Sequence, residues 1–376
     1  MSRFASLQNR LLRWYQKNAR DLPWRKTKNP YKIWVSEIML QQTQVATVIP
    51  YYNRWLKRFP TLASLAKAPI SEALKFWAGL GYYRRVRMLH EAARVLMKKS
   101  GGRIPRSVED LLEIHGIGRY TAGAISSIAF DEKAPLLDGN VIRILTRIFA
   151  VKEDIDNPST MRKLWRMARS VLPEKQCGDF NQAMMELGAT VCLPDRPACQ
   201  SCPVENLCKA HRLKKETAFP VRRQKEIGEK MRTAALIVRR NGRVLIQKQP
   251  AQGRWGGLWM FPHWKSRQAM LAELNLNIND LSHRLTIRHG FTKYQICLNV
   301  FEYKTSACKA GLPRHCSEIP GVDFLARPPG HTFDRPALQA SALTRKTHWV
   351  QVKNLSRFPF PSPHQKIVQH LMGRHG

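Results

Sequence analysis

The sequence predicts a mostly α-helical N-terminal domain that ends in a cysteine loop, followed by a smaller α+β domain. Three observations predict it. From residue 1 to about 208, apolar residues recur at three- and four-residue spacing, punctuated by Pro and Gly. Cys192, Cys199, Cys202 and Cys208 close that stretch with the spacing C-x6-C-x2-C-x5-C. After Cys208 a run rich in Lys, Arg and Glu gives way to strand-like segments. The expected organisation is a helical domain over 1–208, a basic linker over 209–231 and an α+β domain over 232–376.

Local signals place each element. A helix opens at Asn29-Pro30, an N-cap with Pro in the first turn, and runs through Ile33, Trp34, Ile38 and Leu40. Others are expected over Ser71–Trp77 (ending before Gly79), after Gly118 through Tyr120 and Ile128, over Val141–Phe149 and over Met161–Val171. In the second half, Thr233–Val238 and Arg243–Gln247 flank Arg240-Asn241-Gly242, and Asn-Gly between two apolar runs signals a hairpin. Further strands are expected over Arg284–His289, Tyr294–Tyr303 and Thr347–Val352, with a closing helix over 361–372.

The chain has 376 residues, enough for two domains. Its 63 Lys and Arg against 27 Asp and Glu leave a net charge of +36. That exceeds what solubility needs and points to a phosphate backbone as partner, with tight, salt-sensitive nonspecific binding. Arg84, Arg85, Arg87, Lys98, Lys99, Arg103 and Arg106 crowd the first half. No apolar stretch is long enough to cross a bilayer, and no long basic helix has a clean apolar face. The first twenty residues lack a signal-peptide core. The expectation is a cytoplasmic, nucleoid-associated monomer of bacterial type with no membrane partner.

Four thiolates in one short loop imply a metal centre. Structural zinc is one reading, but zinc knuckles bring two tight pairs together and here only Cys199 and Cys202 form one. A [4Fe-4S] cubane, which takes one ligand per iron corner, suits the uneven spacing. It would pin a basic loop with Lys209 and Arg212 against a phosphate. Cys177, Cys297, Cys308 and Cys316 show no pattern and are expected to be free thiols.

Leu112–Ala122 reads LEIHGIGRYTA, two helical segments joined by Gly116-Ile117-Gly118. Glycines permit positive φ, and the next helix N-terminus adds partial positive charge, so the turn could seat a phosphate. A plain helical corner is the simpler reading. Asp138 stands between the apolar run Ala134–Leu137 and the helix of Val141, where an N-cap role is equally natural. Glu37 shares a helical face with Ile33, Trp34 and Leu40, and desolvation there would raise its pKa. A protonated acid beside an ionised one is what N-glycosidic cleavage requires: one protonates the departing base, the other stabilises or captures the sugar cation.

These residues resemble a known family, the adenine DNA glycosylases (MutY family) of the helix–hairpin–helix iron–sulfur superfamily. The resemblance is carried by Val35–Val45, Gly79–Tyr83, the hairpin with Tyr120, Leu137–Val141, Phe180–Met184 and the four cysteines. In the second half it is carried by Trp255–Trp259 and Phe358–His364, which resemble a MutT-like, Nudix-like domain. The resemblance implies a helix–hairpin–helix glycosylase fold with a [4Fe-4S] cluster loop. It implies that Glu37 protonates a flipped adenine and Asp138 stabilises the sugar cation, supported by Asn140 and Tyr120. Arg20, Trp24, Arg25, Leu40 and Gln182 would line the adenine pocket. Gln42, Leu80 and Tyr82 would wedge into the duplex, with Thr43, Gly116 and Gly118 also at DNA. The implied partner is duplex DNA with adenine opposite 8-oxoguanine or guanine.

Departures and alternatives accompany it. The loop that reads 8-oxoguanine typically holds Phe-Ser-His; here stand Phe291, Thr292 and Lys293. A flexible cation in place of an aromatic ring predicts altered or weaker selectivity for 8-oxoguanine. Residues 253–280 carry Glu273 as their only glutamate, so no magnesium-dependent diphosphate hydrolysis is expected. An endonuclease III-like glycosylase with lyase activity would need an amine nucleophile where Tyr120 stands. A non-catalytic DNA-binding iron–sulfur protein would have no use for the acid pair.

Overall fold

The computed structural model describes residues 3–223, 229–250, 255–291, 294–303 and 347–373. Contacts divide the chain into two compact units, Met1–Phe76 with Arg84–Lys225, and Trp77–Tyr83 with Glu226–Gly376.

The first unit is helical. In chain order its helices are α1 (Arg3–Asn18), α2 (Pro30–Leu40), α3 (Val45–Arg58), α4 (Leu62–Lys67), α5 (Ile70–Trp77, whose last residue falls to the second unit), α6 (Arg84–Ser100), α7 (Val108–Leu112), α8 (Arg119–Phe130), α9 (Gly139–Phe149), α10 (Pro158–Val171), α11 (Cys177–Thr190) and α12 (Lys209–Arg212). Local chemistry sets their starts. The Asn29 carboxamide accepts from the Tyr31 and Lys32 amides, with Pro30 at the first position. Asn157-Pro158 repeats the device at α10. Packing then brings α2 and α11 onto α8, and α1 and α9 onto α11. Ile33, Ala124, Leu145, Phe180 and Leu187 are buried in the shared core. Residues from α2, α8, the start of α9 and α11 therefore converge.

The basic run after Cys208 departs from the linker expected over 209–231. Lys209–Arg212 is helical with Ala210 buried, and Phe219 is buried. The Arg147 guanidinium donates to the Phe219 carbonyl, and the Ile155 amide to that of Val221. A few apolar anchors within a charged stretch tie residues 209–221 to the first unit, which composition alone hides.

The second unit holds β1 (Glu229–Ile237), β2 (Arg239–Arg240), β3 (Arg243–Lys248), β4 (Trp259–Met260), β5 (His263–Trp264), α13 (Arg267–Leu274), β6 (Leu281–Phe291), β7 (Tyr294–Tyr303), β8 (Thr347–Gln351) and α14 (Ser362–Leu371). One sheet runs β5-β1-β7-β6, with β1 and β7 parallel. The other runs β2-β3-β4, with β8 also on β3. Asn241 and Gly242 both take positive φ in the β2–β3 turn, as a tight hairpin demands. Phe360 and His364, from the proline-rich motif, stack on Phe261 in the core. The His364 Nδ1 accepts from the Phe261 amide at 3.2 Å. The Tyr83 hydroxyl donates to the Phe360 carbonyl at 2.8 Å. Phe291 ends β6; Thr292 and Lys293 lie outside the described residues, as do Cys308 and Cys316.

Candidate active site

A cavity of about 580 Å3 opens in the first unit. Glu37, Asp138, Tyr120, Asn140, Arg20, Trp24, Arg25, Leu40, Gln182, Gln42 and Thr43 all line it. Residues from five separate stretches of sequence thus meet at one place. Leu80 and Tyr82 belong to the second unit, where Leu80 is buried and Tyr82 is 41% exposed.

Glu37 is 4% exposed, on the last turns of α2. The Tyr120 hydroxyl, from the first turn of α8, donates to its Oε2 at 2.5 Å. Burial pushes the carboxyl up to about 7. The Tyr120 hydrogen bond and the Arg25 charge pull against that rise; the Asp138 charge adds to it. Glu37 therefore holds a proton near neutral pH and can donate it.

Asp138 takes the N-cap position that the sequence allows and also lines the cavity. Its Oδ1 accepts from the Val141 amide at 2.7 Å and caps α9, while Oδ2 accepts from the Asn140 side chain at 2.9 Å. Burial raises its pKa; those hydrogen bonds and the Arg143 charge oppose the rise. The Asn140 Oδ1 accepts from Arg143 at 2.8 Å, which fixes the amide's orientation. α11 can approach only because residue 188 is glycine: a Cβ there would stand 2.5 Å from that of Asn140.

Glu186 and Met185 also line the cavity and escape the sequence reading. The Glu186 side chain is fully buried. Its Oε1 accepts from the Arg20 amide and Nε, and its Oε2 from Arg20 and Arg25 at 2.8 and 2.6 Å. The available signal was spacing: Glu186 stands four residues after Gln182, on the same helical face.

The hairpin between α7 and α8 carries one positive-φ glycine. Gly116 has φ 93°, and a Cβ there would lie 2.8 Å from that of Met88. Gly118 has φ −90° and is the N-cap of α8. Both lie away from the cavity lining.

The cysteine loop packs beside α9. Cys192 and Cys202 touch the hydrophobic core, and the buried Arg147 donates to the Cys192 sulfur at 3.3 Å. Burial pushes the Cys199 thiol up to about 11 and that of Cys202 to about 12; neighbouring cysteine charges add to both. A bound cationic centre would relieve that repulsion, so the donor set fits one. Four thiolates on one zinc sit about 3.8 Å apart, given Zn–S bonds of about 2.3 Å. Among the described residues, the group with three ligand atoms within 4.8 Å of one another is Cys199, His211 and Glu216, with no second cysteine. None of the described cysteines is in a disulfide.

Comparison with known proteins identifies the relatives of both domains. Residues 35–170 match the HhH-GPD superfamily of base excision DNA repair proteins, and residues 233–370 match the NUDIX domain. The adenine DNA glycosylase of Buchnera aphidicola subsp. Acyrthosiphon pisum is 35% identical over 293 residues, 77% of this chain and 84% of that protein. The rat enzyme of the same name is 50% identical over 215 residues, and the human one 37% over 357. The chain spans 42% and 65% of those two relatives' lengths. Among solved structures, a thermostable thymine-DNA glycosylase is 30% identical with a TM-score of 0.52, covering 56% of this chain and 97% of that one. Both domain matches and the likeness to the Buchnera protein, which covers 84% of that relative, place the chain in the adenine DNA glycosylase family.

Proposed function

We propose that the chain removes adenine from duplex DNA in which it is mispaired with 8-oxoguanine or guanine, leaving the sugar–phosphate backbone intact. The observation that carries this reading is the buried Glu37, hydrogen-bonded by Tyr120, opening on the same cavity as Asp138. An everted purine enters the cavity at a cost of a few kcal/mol, lowered by the mispair. Glu37 gives its proton to the departing base, and the C1′–N9 bond breaks with its electron pair going to adenine. Asp138 stabilises or captures the sugar cation until water adds at C1′ and gives its proton to the Glu37 carboxylate left by the first transfer. Among the described residues lining the cavity there is no lysine, so the amine that a lyase needs has no candidate there.

Cys192, Cys199, Cys202 and Cys208 would hold a [4Fe-4S] cluster. When bound, it cross-links the loop that precedes Lys209 and Arg212, and it offers redox chemistry that excision does not require. Purified protein is expected to contain about four iron and four acid-labile sulfide per chain. Cys202→Ser should lower both together with melting temperature; one zinc per chain without iron would overturn the assignment.

The excision reading is tested by adenine release from duplexes with adenine opposite 8-oxoguanine, guanine or thymine. Release from the first two with no strand cleavage is expected, along with negligible capture by borohydride on abasic DNA. Strong covalent capture would sink it in favour of a lyase. Discrimination between 8-oxoguanine and guanine should be weaker than in relatives with Phe-Ser-His, because Thr292 and Lys293 stand in that loop.

A further inference from the structure

Arg85 reads in the sequence as one cation in a basic run. It stands in the first turn of α6, and its Nη1 reaches the end of α2. There it donates to the carbonyls of Ile38 at 2.6 Å, Met39 at 3.3 Å and Gln41 at 2.6 Å. The last carbonyls of a helix lack partners within it and carry partial negative charge, so one guanidinium satisfies the α2 terminus in both hydrogen bonding and charge.

The turn beyond that terminus is strained. Gln41 is the C-cap, and Gln42 takes φ 57°, a left-handed conformation that costs a side-chain-bearing residue. The turn's own hydrogen bonds are long: the Thr43 amide to Leu40 at 3.3 Å, and the Thr43 hydroxyl to Gln41 at 3.4 Å. Residues Gln41–Gln44 form a wall of the cavity, one turn beyond Glu37.

The geometry points to Arg85 as a positioning residue for base excision: it locks the Gln41–Gln44 wall to α2, so that the everted base is held against Glu37. Arg85 touches no reacting atom. The inference rests on the proposed adenine excision and adds a residue outside the cavity to it.

The test compares Arg85→Met, which keeps the aliphatic stem and removes the fork, with Arg85→Lys, which keeps a cation able to serve one carbonyl. Single-turnover adenine release should fall about 100-fold in the methionine variant, the scale of a misplacement near 1 Å. Lysine should recover part of that loss. Affinity for undamaged duplex and the pH midpoint set by Glu37 should match the parent. Without DNA, amide exchange at Gln42 and Thr43 should quicken in the methionine variant. Parent-like release and parent-like exchange overturn the inference. So does a rate loss that merely tracks the melting temperature, which marks general stability. If Arg85→Met does not fold, Arg85→Gln carries the same comparison. Should the parent itself release no adenine, the proposed function has failed, and the exchange measurement still decides the role of Arg85.

Discussion

Glu37→Gln is expected to abolish adenine release while DNA binding persists. Glutamine matches glutamate in shape and can still accept the Tyr120 hydrogen bond, so the cavity should stay formed. What it lacks is a transferable proton. General acid catalysis contributes about 10²–10⁴-fold, so single-turnover release should drop by at least that much. In the parent, release should fall tenfold per pH unit above about 7, where Glu37 loses its proton. That limb should vanish from whatever residual rate the variant shows. A variant that released adenine at the parental rate would remove Glu37 as donor.

The same substitution should stabilise the fold at alkaline pH. Glu37 titrates near 7 when folded against 4.5 as its ordinary value, and burial is the main cause. A raised carboxyl costs nothing below about 4.5, where both states hold the proton. Stability falls between 4.5 and about 7 and is lowest above that, by about 3 kcal/mol for a rise of this size. Glu37→Gln should therefore melt higher than the parent at pH 8 and alike at pH 4. The candidate site keeps a buried acid at a cost to the fold, as stability–function trade-offs lead one to expect. Equal melting at both pH values would contradict the raised pKa.

Much of this site was legible because its chemistry is local. The Asn29-Pro30 cap, the apolar face around Glu37 and the turn before Val141 each declare themselves within a few residues. Asn241-Gly242 marks its hairpin for the same reason. What pattern cannot reveal is partnership across the fold. Glu186 meets Arg20 and Arg25 from more than 160 positions away. Arg85 reads as a surface charge until α6 is packed near the end of α2. Phe219 hides in a charged run until Arg147 meets its carbonyl. Gly118 looks like a second left-handed glycine, yet an N-cap needs only extended backbone.

Glu186→Ala is expected to be among the most destabilising single changes in the first unit. Burial alone would push this carboxyl up, but hydrogen bonds from Arg20 and Arg25 hold it down at about 2. Because the folded pKa is depressed, its contribution is present above about 4.5 and disappears as pH falls toward 2. Removing one member of a buried ion pair costs about 3–5 kcal/mol, since the other charge is left without compensation. Here the uncompensated charge would chiefly be Arg25, whose side chain is 13% exposed against 39% for Arg20. At roughly 2–4 °C per kcal/mol, melting should fall by about 10 °C near neutral pH, and by much less near pH 2.5. Adenine release should fall as well, because both arginines line the cavity through this anchor. Stability and function separate in a second variant. Replacing Glu186 and Arg25 together with leucines removes the uncompensated charge, which is often neutral or stabilising for buried pairs. That double variant should recover most of the melting temperature and little of the excision. Recovery of both would mean that Glu186 and Arg25 hold the helices together and have no part in shaping the base pocket.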